Sequence, residues 1–88
     1  MRLDLFLKAS RLSPRRSVAQ KLCDAGLVLL NGSAAKAAHV VKAGDKITIR
    51  KRDKESVVRV ISVPSGRQIA RKDAAALYEL ISETFHSD

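Results

Sequence analysis

The sequence predicts an α+β fold: two N-terminal basic helices packed on a small, strongly bent antiparallel sheet, with a C-terminal helix closing the chain. Three observations carry that prediction. Residues 1–25 hold apolar side chains at helical spacing. The middle of the chain holds short apolar runs punctuated by Asn31-Gly32 and Ala43-Gly44-Asp45. The final stretch returns to helical spacing. With 88 residues the chain has room for one core, so residues 1–88 are read as a single domain.

Each element has its own signal. Leu3, Phe6, Leu7 and Ser10 recur on one side of a first helix and leave Asp4, Lys8 and Arg11 together on another. Ser13 reads as an N-cap, Pro14 as the first helical residue and Gly26 as the left-handed residue just past the end, which brackets a second helix from Pro14 to Ala25. On it Val18, Leu22 and Ala25 share one side, and Arg16 and Gln20 point nearly opposite. Leu27-Val28-Leu29-Leu30 reads as a strand, and Asn31-Gly32 as a tight hairpin turn, because both residues tolerate positive φ. Lys46 to Arg50 and Val57 to Val63 alternate as strands, with the charged segment Lys51 to Ser56 expected as a mobile loop between them. Ala74, Leu77, Tyr78, Ile81 and Phe85 predict the closing helix from Lys72 to Phe85, with Asp73, Glu79 and Glu83 on its outer face.

Charge narrows the function. The chain carries 17 Lys and Arg against 9 Asp and Glu, a formal net charge of +8. All 17 basic residues and 5 acidic ones precede residue 73, so that part carries +12, and the four acids after it carry −4. A basic body on a small domain points to a polyanion, since Lys and Arg release condensed counterions when they neutralise phosphates. The second helix strengthens the point. Its N-terminal N–H groups and dipole already favour an anion, and Arg15 and Arg16 add two fork-shaped donors there. With only Phe6, Tyr78 and Phe85 aromatic, and those placed for the core, recognition is expected through shape and phosphate rather than base stacking.

Other classes fit poorly. Arg2, Asp4, Lys8 and Arg11 interrupt every early apolar run, which argues against a secretory signal, and no stretch approaches the length of a membrane span, so a cytoplasmic protein is expected. Cys23 stands alone and is read as packing or surface. With only His39 and His86 beside it, no metal site and no cofactor are expected. Neither histidine sits in a motif that predicts a nucleophile, so the protein is read as non-enzymatic with no catalytic residues. A DNA-binding helix-turn-helix would need a recognition helix reaching base edges, usually in a symmetric dimer. A third rival is a protein-interaction adaptor working through the acidic final segment, which is compatible with RNA binding.

The residues also carry a resemblance. Arg2-Leu3-Asp4-Leu5-Phe6-Leu7-Lys8-Ala9-Ser10-Arg11-Leu12, Arg15-Arg16-Ser17-Val18-Ala19, Gly26-Leu27-Val28, Asn31-Gly32, Lys36 and Val41-Lys42-Ala43-Gly44-Asp45 closely resemble the S4 RNA-binding domain, in the family's order and without a gap over residues 1–50. The resemblance implies the S4-like (αL motif) fold, with the motif in residues 1–50 and a strand and C-terminal helix in 57–86. S4 domains also occur fused to synthetases, pseudouridine synthases and ribosomal proteins. This chain is expected to be a free-standing module, and among such members it is most similar to the RqcP branch of ribosome-associated quality control and the small ribosome-bound heat-shock group.

That similarity implies binding to large ribosomal subunits obstructed by peptidyl-tRNA, contacts to large-subunit rRNA and tRNA, and support of RqcH-dependent alanine tailing of stalled chains, with RqcH a further partner. The protein is expected to act as a monomer. The alternative is a heat-shock-type recycling factor or another stand-alone S4 protein that binds rRNA or serves assembly. Carried over residue by residue, Arg2 and Arg16 are expected to hold RNA phosphates, with Lys8, Arg11, Arg15, Lys21 and Lys36 in support. Asn31 is included chiefly as a turn residue. Asp4 is expected to orient basic neighbours, one helical turn from Lys8.

Overall fold

Arg2 is extended and the chain turns helical at Leu3, starting α1 (Leu3–Ala9) in the computed structural model, which describes residues 1–63 and 74–85. Leu3, Phe6 and Leu7 are fully buried, as their spacing requires. The first N–H groups of α1 do not need a side-chain cap. Leu3 donates to the His39 carbonyl at 2.8 Å and Asp4 to the Ala37 carbonyl at 3.2 Å. Arg2 forms a β-bridge with Val40, which fastens the segment around Ala37–Val41 to the start of the helix. After Ser10 the chain reverses through Arg11, at φ +65°, a left-handed conformation that usually calls for glycine.

The second helix, α2, spans Arg16–Asp24, shorter than the predicted Pro14 to Ala25. Its N-cap is Arg15, and no side chain caps it. Ser13 does not serve because it belongs to the inter-helix turn: it is buried, its N–H bonds the Leu7 carbonyl at 3.0 Å and its hydroxyl donates to the Arg15 carbonyl at 2.9 Å. The far end follows the sequence reading. Gly26, at φ +75°, donates to Cys23, and Leu27 donates back to Leu22, the paired bonds of a glycine-terminated helix. The buried line of α2 is Ala19 and Cys23, with Leu22 only partly covered and Ala25 exposed. Cys23 is therefore a packing residue.

One five-stranded antiparallel sheet follows. Its strands are β1 (Val28–Leu30), β2 (Ser33–Ala34), β3 (Lys46–Arg50), β4 (Lys54–Val60) and β5 (Tyr78–Phe85), ordered β2-β1-β3-β4-β5. Asn31 and Gly32, both at positive φ, make the two-residue turn that pairs Leu30 with Ser33. Ile47, Ile49, Val58 and Val60 point inward from β3 and β4 and meet Leu3, Phe6 and Leu7 of α1 in one core. Burying each such side chain fully stabilises the fold by roughly 1.5–3 kcal/mol before entropy is counted.

Two expectations fail in this half. The charged segment Lys51 to Ser56 is not one loop: Lys51 N–H bonds the Lys54 carbonyl at 2.7 Å, closing a tight turn, and Lys54, Glu55 and Ser56 join β4 in register with β3 and β5. That strand then ends at Val60 rather than Val63. The predicted C-terminal helix is a strand. Residues 64–73 and 86 of the predicted span 57–86 lie outside the described residues. Ala74 to Leu77 make one helical turn, with Ala74 and Leu77 buried, and Tyr78 onward is β5. Tyr78, Ile81, Thr84 and Phe85 are β-formers, and β4 offers a row of backbone donors and acceptors that an isolated helix would leave unpaired. The helical spacing was satisfied locally, and sheet pairing outweighed it. A bulge between Val57 and Val58, where Ser82 and Leu80 are the partners, inserts Ile81 and obscures the two-residue alternation.

Candidate RNA-binding site

The site is organised around a buried acid. Asp4 lies in the first turn of α1 with no exposure. Its Oδ1 accepts from the Leu5 N–H at 2.8 Å and Arg2 Nε at 3.2 Å, and its Oδ2 accepts from Arg16 Nε at 3.0 Å, Gln20 Nε2 at 2.9 Å and Arg2 Nη2 at 3.4 Å. One carboxylate thus ties the two helices together. Burial by itself pushes the Asp4 carboxyl up, but the hydrogen bonds from Gln20, Arg16 and Arg2, with the charge of Arg16, outweigh it and hold the carboxyl below its ordinary value of 3.8.

Arg2 and Arg16 are a little under half exposed, at 43% and 44% of their side chains. Arg16 engages Asp4 through Nε alone, so both terminal amino groups remain to grip an anion. The two guanidinium groups exceed the one carboxylate by a positive charge, and their rotamers are set before any ligand arrives. Fixing a long cationic side chain in advance removes an entropic cost of binding. Beside them, the first turn of α2 has no side-chain cap, and its first intrahelical bond runs from Ala19 N–H to the Arg15 carbonyl. The open N–H groups and two arginines converge on the same end of the molecule.

The remaining candidates fall into separate places. Arg15 is exposed at the N-cap of α2, beside Arg16. Asp4 takes Arg2, Arg16 and Gln20 as partners rather than Lys8, which stays exposed on α1. Lys36 is exposed, one residue before Ala37, whose carbonyl bonds α1. Lys21 is exposed but lies five residues after Arg16, about 140° round the helix. Asn31 is committed to structure: its carbonyl oxygen accepts from the Lys46 N–H at 2.9 Å and its amide donates to Asp45 at 3.2 Å. Arg11 lies at the other end of α1, apart from the clamp.

Gln20 was missed as a participant, because helical periodicity put it and Arg16 opposite the apolar side. That periodicity runs through Val18, Leu22 and Ala25, whereas the buried line of α2 runs through Ala19 and Cys23. The four-residue spacing of Arg16 and Gln20 was the usable signal. Burial raises the Cys23 thiol above its ordinary value, with the charges of Asp4 and Asp24 adding to the effect, which keeps it protonated and unreactive. Among the described residues no cluster of three or more metal-ligating side chains occurs, and no helix is long and apolar enough to cross a membrane.

Two short helices are locked by a buried acid, with two half-exposed arginines beside it and an antiparallel sheet packed behind, an α+β unit that offers a fixed cationic pair to an anion. The S4 domain family model matches residues 1–47. The RQC P-site tRNA stabilizing factor of Halalkalibacterium halodurans is 42% identical over 83 residues, covering 94% of this chain and 92% of that protein, and its namesake from Streptococcus pneumoniae is 40% identical over 96% and 93%. The trimeric structure of Vibrio cholerae heat shock protein 15 superposes with a TM-score of 0.82 at 31% identity, over 93% of this chain and 82% of that one. The chain belongs to the S4 domain family and, within it, to the family of RQC P-site tRNA stabilizing factors.

Proposed function

We propose that this chain is a non-catalytic, cytoplasmic factor of ribosome-associated quality control. It binds large ribosomal subunits obstructed by peptidyl-tRNA, contacts rRNA and tRNA, and supports RqcH-dependent alanine tailing of the stalled chain. The observation that carries this reading is the near end-to-end identity of about 42% with a relative whose name specifies P-site tRNA stabilisation. The Asp4 clamp supplies a physical means, since it presents two fixed guanidinium groups at an uncapped helix start. Phosphate contacts of this kind position a protein on folded RNA without reading its bases.

The test is affinity purification of the tagged chain from its own cells. Large subunits carrying peptidyl-tRNA should co-purify, and Arg16→Ala should deplete them at least tenfold while leaving the protein folded. Recovery of only free RNA or small subunits would overturn the reading. A heat-shock-type recycling role is the second reading, favoured by the fold shared with the Vibrio protein. It predicts binding that persists in cells lacking RqcH activity, with no effect on alanine tails when the gene is deleted.

A further inference from the structure

We propose that a second RNA site, shaped for one unstacked nucleotide, lies in the groove between the α1–α2 turn and the inner face of β3, β4 and β5. The inference rests on the RNA-binding reading above and assigns a surface that reading leaves unused. The groove has a volume of about 250 Å³. Its apolar lining is Leu12, Tyr78 and Leu80, backed by the buried Ile49 and Val58 as a floor. Arg11, Lys51 and Lys54 also line it.

The floor exists because the helix layer stops short of the sheet edge. Val58 is fully buried, yet its partner across the strand pair, Leu80, is 53% exposed. An apolar shelf is left beside cations. The one acid in the groove, Glu83, is already engaged: Ser56 Oγ donates to it at 3.2 Å and Lys54 Nζ stands 3.9 Å away. Arg11 and Lys51 form no ion pair with an acid among the described residues, which leaves the groove with an excess of positive charge. Arg11 also adopts its left-handed conformation where glycine would be easier. Strain kept at a residue lining a groove points from structure to use.

A flat ring joined to a phosphate matches an apolar shelf flanked by fork and ammonium donors. An acidic peptide is the competing occupant. To pair with β5, the last strand of the sheet among the described residues, it would run along Glu79 as well as Glu83, whereas a nucleotide needs only the inner face. Asp4 lies in the first turn of α1, whereas Arg11 follows its C-terminal end, so Asp4 and the groove sit at opposite ends of that helix. One chain could then hold two RNA segments at once.

The test is a titration of the isotopically labelled full chain with tetrauridylate, followed by backbone amide resonances. Shifts are expected at Arg11, Ile49, Lys51 and Leu80, retained in Arg16→Ala and weakened at least tenfold in Lys51→Glu and in Leu80→Glu, two exposed substitutions whose folding is checked by the unchanged remainder of the spectrum. The assignment is overturned if inorganic phosphate alone reproduces the shifts, if a Leu-Glu repeat peptide binds there more tightly, or if Arg16→Ala abolishes them. It is also overturned if tetrauridylate leaves these amides unmoved. Subunit purification reads the clamp and this titration reads the groove, so failure of one does not imitate failure of the other.

Discussion

Asp4 is a fully buried acid in the first turn of α1 that joins this helix to α2. A buried carboxylate alone would be costly, and here Arg2, Arg16, Gln20 and the Leu5 amide offset that cost. Removing one partner of a fully buried pair destabilises by about 3–5 kcal/mol, but both arginines are partly exposed and can return to water. Asp4→Ala should therefore cost about 1–3 kcal/mol in denaturant unfolding, and RNA affinity should fall further because Arg2 and Arg16 lose their fixed rotamers. The pH dependence has a definite sign. The folded carboxyl titrates below 3.8, so the unfolded chain binds more protons in that region. Stability from this group is fully present above about pH 4 and is lost as pH falls through the folded value; Asp4→Asn should lack that acid-side loss in urea melts compared between pH 5 and 3. At the other end of α1, Arg11→Gly should raise stability by up to about 1 kcal/mol by relieving the positive φ, while weakening tetrauridylate binding.

Among the elements, the turns depend on backbone chemistry and the last strand on its neighbours. Gly26 ends α2 at φ +75° with nothing within 4 Å of an added Cβ, so Gly26→Ala tests conformation alone. It should cost about 1 kcal/mol, read as a lower melting midpoint with an unchanged fold. Both glycine turns, at Gly26 and Asn31-Gly32, were legible in the sequence because the signal and the geometry reside in the same few residues. Tyr78 to Phe85 was not legible. Its spacing fits a helix, and its strand state depends on the free edge of β4, more than twenty residues away for most of the paired positions. A chain ending at Leu77 should expose that edge and aggregate, as light scattering would show.

Across the whole molecule, charge and shape act together. The net charge of +8 favours polyanions at long range, and the Asp4 clamp is the place where the proposed function puts the first contact. With four or five phosphates neutralised, raising salt from about 50 to 200 mM should weaken binding to structured RNA roughly a hundred- to a thousandfold. An affinity measured by fluorescence anisotropy that stays flat over this range would show that phosphate contact is not the mechanism. Arg2→Ala and Arg16→Ala should each make the slope shallower by about one, whereas Lys21→Ala, on another face of α2, should leave it nearly unchanged.

Local sequence suffices for the helix pair, its stop at Gly26, the Asn31-Gly32 hairpin and a basic body with Arg15 and Arg16 at the start of the second helix. Each is written in local periodicity, turn chemistry or charge, which need no distant partner. Packing between distant residues turns Gln20 toward Asp4, brings Arg11 into one groove with Lys51 and Lys54, and makes the last segment the outer strand of the described sheet. In each case the deciding contact joins residues far apart in the chain: the rotation of α2 against α1 is set by packing of Ala19 and Cys23, and the state of β5 by backbone groups of β4 that only a strand can satisfy.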